Sequence, residues 1–391
     1  MTEWKEYKLG EICDVRDGTH DSPKEAPLGY PLVTSKNIKN GMIDLSNTYL
    51  ISESDYNFVN QRSKVEQWDV LFSMIGTIGE CAIVKEHPNY AIKNVGLFKT
   101  NGNRLLAEWI YYYFHSQQAK NEMNACLKGS TQQYISLTDL RNFPIEMPSN
   151  EDQHRIVSIL TSLDDKIDLL RRENATLEDM AETLFRQWFV VEAKEEWKKV
   201  PLDYVCERIT DGSHYSPESV DLGYPMASVK DMEDWEINLN SCRKISKEEY
   251  DKLVSADCLP QVNDILIAKD GSYLKHIFVV DKMREVVILS SIAIIRPNGL
   301  YHPYLLSILL KLDSTKEKLK NIVTGAVIPR IVLKDFRKFP IILPPKEKQT
   351  QALAFIKPIM RKCFSNNEQI QTLIQTRDRL LPKLMSNEIK I

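Results

Sequence analysis

The chain has 391 residues, of which 43% are hydrophobic and 27% are charged, enough for more than one domain because a single core stops growing near roughly 250–300 residues. Its formal net charge of −3 excludes the overall basic footprint of many nucleic-acid-binding proteins, so any such contact must come from local patches. No apolar run approaches the roughly 20 residues that cross a bilayer, and the start lacks a signal-peptide pattern. This predicts a cytoplasmic protein without a membrane partner.

Cysteine and histidine patterns give no sign of a metal site. The seven cysteines are scattered and never form a Cys-x-x-Cys pair, and the seven histidines show no metal-ligand spacing. We therefore expect neither a disulfide framework nor a bound metal.

One long internal repeat organises the sequence. Residues 3–56 recur at 196–250, and further matches follow at an offset near 195 residues. The clearest pairs are Asp17-Gly18-Thr19-His20 with Asp211-Gly212-Ser213-His214, Leu28-Gly29-Tyr30-Pro31 with Leu222-Gly223-Tyr224-Pro225, and Asp69-Val70-Leu71-Phe72 with Asp264-Ile265-Leu266-Ile267. Solenoid repeats are about 20–50 residues long, so this spacing predicts two homologous domains in tandem.

Each repeat alternates short β-rich runs with turn residues and helical patches. Residues 30–34, 70–74 and 277–280 are strand-like, whereas residues 105–124 are helical. The pattern predicts an irregular α+β domain over residues 1–148 and a second over 193–345, related by pseudo-symmetry.

A long helix is predicted after each domain, over residues 149–192 and 346–391, where proline ends the preceding element. Apolar residues alternate by three and four, as in the seam of a coiled coil roughly 50 Å long. The seam residues are Ile156, Leu160, Leu163, Ile167, Leu170, Leu177 and Leu184 in the first helix, and Ile356, Ile359, Ile370, Leu373 and Leu380 in the second. The predicted architecture is therefore α+β, with two α/β domains separated by two long antiparallel coiled-coil helices.

Charge favours pairing of these two helices within one chain. Residues 150–191 hold nine acids and five bases, whereas residues 346–391 hold nine bases and four acids. Each seam also contains one asparagine, Asn174 and Asn366. These asparagines either fix the register of the pair or interrupt the seam at a solvated end.

Motifs for catalysis are absent from the sequence. There is no Gly-x-x-x-x-Gly-Lys-Ser/Thr loop for ATP and no Asn/Asp-Pro-Pro-aromatic motif for adenine methylation. Scattered Glu-x-Lys triplets lack the aspartate of a nuclease site. We expect a protein without a catalytic centre. The alternatives are an enzyme, such as a fused nuclease-methyltransferase, and a coiled-coil adaptor that binds only proteins.

The repeated Asp-Gly-Thr/Ser-His loop combines a turn with hydroxyl and imidazole donors. These groups suit a phosphate or a base edge, and the candidates are Thr19, His20, Ser213, His214 and Tyr215. A purely structural loop is the alternative.

Together these features resemble the specificity subunits of Type I restriction-modification systems. The resemblance covers essentially the whole chain. It rests on the twin loops, the Gly76-Thr77-Ile78-Gly79 turn, the Lys128-Gly129-Ser130-Thr131-Gln132-Gln133-Tyr134-Ile135 loop, the heptad helices, and the Leu184-Phe185-Arg186-Gln187-Trp188-Phe189 and Leu380-Leu381-Pro382-Lys383 segments. One departure is Gly325-Ala326-Val327-Ile328-Pro329-Arg330, which replaces the glutamine-containing loop in the second repeat.

The resemblance implies one target recognition domain for each half of a split double-stranded DNA sequence. The helices would set the gap between the halves and dock two methyltransferase subunits that carry S-adenosylmethionine. Two restriction subunits would add the nuclease that depends on ATP and Mg²⁺. No cofactor is expected in this chain.

Differences between the two repeats nominate the residues that read DNA, because duplicated scaffolds should agree where they fold and differ where they read. Asn and Gln suit adenine, whereas Lys suits guanine or phosphate. In the first repeat the further candidates are Ser35, Lys36, Asn37, Lys39, Thr77, Lys93, Gln132, Gln133 and Tyr134. In the second they are Lys230, Lys269, Asp270, Ser272, Tyr273, Lys275, His276 and Arg330. For each position the alternative is an ordinary polar surface residue.

Overall fold

The computed structural model describes residues 4–39, 41–129, 133–271, 273–324 and 329–389. The chain divides into two compact units. The first comprises Met1–Ile167 and Thr372–Ile391, and the second comprises Asp168–Gln371. Each unit therefore holds one copy of the repeat and a segment of both long helices. The four segment boundaries predicted from the sequence stay predictions.

Short strands and helices alternate through the first repeat. Its strands are β1 (Lys5–Lys8), β2 (Asp14–Asp17), β3 (Tyr30–Val33), β4 (Ile38–Lys39), β5 (Met42–Ile43), β6 (Leu50–Ile51), β7 (Val70–Ser73), β8 (Cys81–Ile83), β9 (Ala91–Ile92), β10 (Val95–Lys99) and β11 (Pro144–Met147). Its helices are α1 (Leu9–Ile12), α2 (Glu53–Ser63), α3 (Arg104–His115), α4 (Gln117–Cys126), α5 (Leu137–Arg141) and the long α6 (Asn150–Arg186). A π-helical turn, Gln187–Val191, continues α6.

The second repeat follows nearly the same order. Its strands are β12 (Lys198–Pro201), β13 (Cys206–Asp211), β14 (Tyr224–Ala227), β15 (Arg243–Ile245), β16 (Ile265–Ala268), β17 (Ile277–Val279), β18 (Val287–Ile288), β19 (Ile292–Pro297), β20 (Val323–Thr324), β21 (Arg330–Ile331) and β22 (Pro340–Leu343). Its helices are α7 (Lys247–Ser255), α8 (Pro303–Lys311), α9 (Asp313–Lys320), α10 (Leu333–Arg337) and the long α11 (Lys346–Met385).

The two repeats build equivalent sheets. The main sheet of the first has the order β2-β10-β7-β8, and that of the second has the order β13-β19-β16-β17, with antiparallel pairing throughout. Each repeat adds a three-stranded sheet, β6-β3-β9 or β15-β14-β18, and pairs its first strand with its last, β1 with β11 or β12 with β22. The predicted α+β class and the internal duplication are confirmed.

The central strands are buried on both faces. In β7, Val70 and Phe72 belong to the core that contains α3, whereas Leu71 lies in a separate cluster on the other face. Strand side chains alternate between faces, so a strand covered on both sides favours apolar residues at consecutive positions. This explains the apolar run of residues 70–72 in β7, which ends at the buried Ser73, and the wholly apolar β16.

The repeated Arg near the end of each domain has a structural role. Arg141 Nε donates to the Val15 carbonyl at 3.1 Å, and Arg337 Nη2 donates to the Ile209 carbonyl at 2.6 Å. In both repeats this arginine therefore ties the last short helix to an edge strand of the main sheet.

Within the first unit, the start of α6 packs with the end of α11. Ile156 and Leu160 share a buried core with Leu384. Next to that core, Arg377 Nη1 donates to Asp164 Oδ1 at 2.8 Å. The opposite charges that the sequence assigned to the two helices thus meet in at least one partly buried ion pair.

Within the second unit, the remaining segments of α6 and α11 run antiparallel. Asn174 faces Asn366, and Glu192, just past α6, pairs with Lys348 near the start of α11. Asn366 Nδ2 donates to Asn174 Oδ1 at 2.9 Å, and both side chains are buried. The solvated-end interpretation of these asparagines is therefore wrong. Every predicted seam residue is buried or half-buried.

Candidate nucleic-acid interface

In the first unit, the Asp-Gly-Thr-His loop lies against the end of β9. The Thr19 amide donates to the Ile92 carbonyl at 3.0 Å, and the Asn94 amide donates to the Thr19 carbonyl at 3.1 Å. A Cβ on Gly18 would lie 2.4 Å from the Ile92 carbonyl oxygen. In the second unit, a Cβ on Gly212 would lie 2.1 Å from the Ile288 carbonyl oxygen. The repeated glycine is therefore required by backbone packing.

The aspartate of this loop is buried and compensated in the first unit. Asp17 accepts a hydrogen bond from Arg62 Nη2 and pairs with His20 Nε2 at 2.9 Å. The other ring nitrogen of His20 lies 2.9 Å from Asn94 Oδ1. The imidazole is thus held on two sides, although 65% of the side chain is exposed.

A different cation compensates the equivalent aspartate in the second unit. Lys269 Nζ, which is buried, donates to Asp211, and His214 Nε2 lies 3.4 Å from the same carboxylate. In the first unit Met74 occupies the position equivalent to Lys269. The backbone contacts show the equivalence: the Ile135 amide donates to the Met74 carbonyl, and the Ile331 amide donates to the Lys269 carbonyl. Each unit therefore neutralises this carboxylate with its own basic residue.

Several predicted residues of the first unit form one continuous polar surface with this loop, linked through the buried Ser35. Ser35 Oγ donates to the Asn94 carbonyl at 3.2 Å, and Thr77 Oγ1 donates to the Ser35 carbonyl at 3.4 Å. Lys93, paired with Thr19 in a β-bridge, donates to Ser22. Tyr134 joins the same region through its bridge to Ile75, two residues before Thr77. Thr19, His20, Ser35, Thr77, Lys93 and Tyr134 are thus brought together.

The second unit gathers its predicted residues in the same way. The Ser213 amide donates to the Ile288 carbonyl at 2.9 Å, and the Ser290 amide donates to the Ser213 carbonyl at 2.9 Å. Ser291 links the neighbouring segments, because its Oγ accepts from the Val229 amide at 3.0 Å and its carbonyl accepts from the Lys269 amide at 2.9 Å. Through these contacts and the Asp270–Arg330 bridge, the structure brings together Ser213, His214, Lys230, Asp270 and Arg330.

Other candidates are occupied by structural contacts. Asn37 is buried, its Oδ1 accepts from the Thr34 amide at 2.9 Å, and its Nδ2 donates to the Asp44 carbonyl at 3.0 Å. Tyr273 packs against the core, and His276 Nδ1 lies 3.1 Å from Asp234. The contacts of Asn37 and Lys269 favour a folding role for these two residues.

The remaining candidates are surface residues or lie outside the described part of the chain. The remaining candidates that are exposed are Lys36, Lys39, Gln133, Tyr215 and Lys275. Gln132 and Ser272 fall outside the described residues.

Sequence comparison of the repeats missed two residues of the surface, Asn94 and Arg62. Asn94 has a φ of 53°, in the left-handed region that asparagine tolerates better than most residues. Its Oδ1 forms a hydrogen bond with His20 Nδ1, and its backbone carbonyl accepts a hydrogen bond from Ser35 Oγ. An asparagine between two short strands is a weak signal that could have indicated the turn. Nothing local indicated that Arg62 reaches Asp17.

No candidate for metal or thiol catalysis emerges from the described residues. Among them, no group of three or more His, Cys, Asp or Glu side chains could hold a metal ion. Burial raises the pKa of Cys13 and of Cys206 to about 12, so both thiols are protonated at neutral pH. Within the same residues, no helix is long and apolar enough to cross a membrane.

Comparisons with known proteins agree with the duplication. A family model described as Type I restriction modification DNA specificity domain matches residues 1–179 and again residues 194–376. The Type I restriction enzyme MjaIX specificity subunit of Methanocaldococcus jannaschii is 24% identical over 422 residues, covering 100% of this chain and 94% of the relative. The HindI specificity subunit of Haemophilus influenzae is 24% identical over 468 residues, covering 100% of both chains.

A solved structure supports the fold. The S subunit of a Type I restriction-modification system from M. genitalium superposes with a TM-score of 0.53 at 17% identity, covering 98% of this chain and 96% of that chain. Since the family model matches most of the chain in two copies, the resemblance inferred from the sequence is confirmed. The chain belongs to the Type I restriction modification DNA specificity domain family.

Proposed function

We propose that this chain is the DNA-reading subunit of a Type I restriction-modification complex and that each unit reads one half of a bipartite target. The observation that carries the proposal is one scaffold built twice with different side chains at equivalent places. Lys93, bridged to Thr19, corresponds to Leu289, which is bridged to Ser213, half-buried and packed in part against the core. A lysine offers a donor to guanine or phosphate, whereas a leucine offers only apolar contact. The two surfaces therefore suit different sequences.

Residues that agree between the units suit the part of DNA that is the same everywhere. Lys36 and Lys230, which the sequence comparison grouped with the differing positions, are in fact the same residue at equivalent exposed positions in the short turns Ser35–Asn37 and Val229–Asp231. His20 and His214 are likewise equivalent and exposed. Phosphate contacts position a protein on DNA without reading sequence. We assign these four residues to the phosphate backbone.

The negative charges of the two loop aspartates are neutralised by basic residues, which allows DNA to approach the loops. A bare carboxylate beneath His20 or His214 would repel phosphate, but Asp17 is paired with Arg62 and Asp211 with Lys269. The acidic net charge of the chain is therefore no obstacle at these two surfaces.

We propose that the long helices set the gap between the half-sites and dock two methyltransferase subunits, with two restriction subunits completing the complex. S-adenosylmethionine, ATP and Mg²⁺ would then be bound by those partners, and this chain would be non-catalytic. Support comes from family membership and from the absence of catalytic motifs in the sequence.

The test exchanges the two equivalent residues. Cells that express the cognate methyltransferase subunit receive the wild type, Lys93→Leu or Leu289→Lys, and N6-methyladenine is mapped at single-molecule resolution. Each variant should change the preferred bases in one half of a two-part motif and leave the other half unchanged. Lys120→Leu, at an exposed lysine on α4 that is not among the candidate residues, serves as the control. Changes in both halves, or in neither, would contradict the proposal.

A further inference from the structure

Two exposed leucines occupy equivalent places in the two units. Leu28 is 83% exposed and Leu222 is 91% exposed, the highest values among the large apolar side chains in the described part of the chain. Each precedes a Gly-Tyr-Pro segment that enters the first strand of the three-stranded sheet. Neither leucine is buried in a core, so folding does not account for its presence in both copies.

The loops that carry these leucines are anchored in the same way. The Ala26 amide donates to the Leu50 carbonyl at 2.8 Å, and the equivalent Val220 amide donates to the Lys244 carbonyl at 3.0 Å. The backbone two residues before each leucine is thus fixed to the neighbouring strand.

Anchoring continues on the other side of each leucine. A Cβ on Gly29 would lie 1.9 Å from the Ile51 carbonyl oxygen, which forces the chain against that strand. The next residue, Tyr30, stacks on Tyr56 with ring centroids 4.0 Å apart, as Tyr224 does on Tyr250 at 4.4 Å. Each leucine therefore projects from a loop that is held at both ends.

Agreement at an exposed position indicates a common partner. Residues that read different DNA halves should differ between the units, and residues that serve folding are buried. These two leucines are identical and exposed, so they fit neither role. We propose that Leu28 and Leu222 are equivalent docking points for a protein present in two copies, each copy presenting an apolar pocket with a basic rim. This rests on the proposed function, in which the two copies are methyltransferase subunits.

Charge separates a protein partner from DNA. The loop from residue 21 to 28 carries Asp21, Lys24 and Glu25, a net charge of −1, and the loop from 215 to 222 carries Glu218 and Asp221, a net charge of −2. Phosphates repel acidic loops, and leucine has no donor or acceptor for a base edge. A basic rim around an apolar pocket complements both the leucine and the acidic residues.

The test measures assembly with the purified cognate methyltransferase subunit. Leu28→Ser, Leu222→Ser and the double variant are titrated in the full chain by calorimetry, and native mass spectrometry counts the bound copies. Burial of one leucine side chain contributes about 1.5–3 kcal/mol to binding. Each single variant should therefore bind one of the two methyltransferase copies roughly ten- to hundredfold more weakly. The double variant should weaken the binding of both. Phe58→Ser is the control, because Phe58 is 64% exposed but has Lys252 as its counterpart.

The outcomes separate this proposal from the proposed function. Wild-type affinity in the double variant would overturn the docking proposal alone. Unchanged assembly combined with weaker binding of a target duplex would show that the leucines contact DNA, and would also overturn it. If the wild type fails to bind the methyltransferase subunit, the proposed function falls together with the docking proposal. Because both leucines are exposed, circular dichroism should show unchanged folding in every variant.

Discussion

Replacing Lys269 with methionine distinguishes a folding role for this residue from a DNA-reading role. The lysine side chain is 8% exposed and its partner Asp211 is 14% exposed. Methionine fits the scaffold, because Met74 is buried at the equivalent position of the first unit. The variant therefore removes the charge without removing the packing. Among the described residues, Asp211 would then keep only the longer contact to His214.

The expected cost follows from that geometry. Removing one partner of a buried ion pair costs about 3–5 kcal/mol. Since Asp211 retains some exposure and its contact with His214, we expect the lower end, about 3 kcal/mol. The locally unfolded state of the second main sheet, from which amide hydrogens exchange, would then be populated roughly a hundredfold more than in the wild type. Adding Asp211→Asn should restore much of the loss, because the unpaired charge is gone.

Hydrogen-exchange mass spectrometry of the full chain measures this effect in both sheets at once. Amides in β13, β16 and β19 should exchange roughly a hundredfold faster, while those in β2, β7 and β10 serve as an internal reference. Lys275→Met, at an exposed lysine, should change neither set. Unchanged protection of the second sheet would show that Lys269 does not stabilise the fold. If a changed methylation motif accompanied it, Lys269 would be a reader after all.

Three further predictions follow from buried and surface groups. Asn366→Ala should destabilise the second unit by about 1–3 kcal/mol, because Asn174 loses a buried hydrogen-bond partner. Replacing both asparagines by leucine should cost less, because no buried polar group is then left unpaired. Urea unfolding measures both variants, and equal losses of stability would contradict this prediction. Burial lowers the pKa of His115 below its ordinary 6.5. The unfolded chain therefore takes up the proton first, and stability falls as pH drops below about 6.5. His115→Gln should flatten that decline in thermal unfolding between pH 7 and pH 5, and parallel pH profiles would argue against it. Lys36→Ala and Lys230→Ala, in the assembled complex, should each weaken DNA binding for all sequences and reduce the salt-dependence slope by about 1. An unchanged slope would remove them from the phosphate contacts.

Patterns repeated along the sequence predicted the fold well. Matches such as Asp17 with Asp211 predicted a duplicated domain, and the structure has the same strand order twice. The spacing of Leu160 and Ile356 within apolar stripes predicted two long helices, because a stripe repeating every three or four residues follows one helix face. What the pattern could not decide was the environment of Asn174, since burial depends on what packs against the helix.

The candidate surface was only partly predictable, because a difference between repeats has more than one cause. Lys269 differs from Met74 because its partner Asp211 needs a cation, whereas in the first unit Arg62 supplies one from helix α2. A sequence comparison cannot distinguish such compensation from DNA reading. Asn94 was missed because its role depends on a left-handed backbone conformation and on the loop beside it.

Mapping of N6-methyladenine in cells tests whether this chain directs methylation to a two-part DNA sequence. The cells express the cognate methyltransferase subunit with and without this chain. We expect methylation at an asymmetric motif with a fixed internal gap only when the chain is present. Methylation that does not depend on the chain, or that shows no gapped motif, would contradict this expectation.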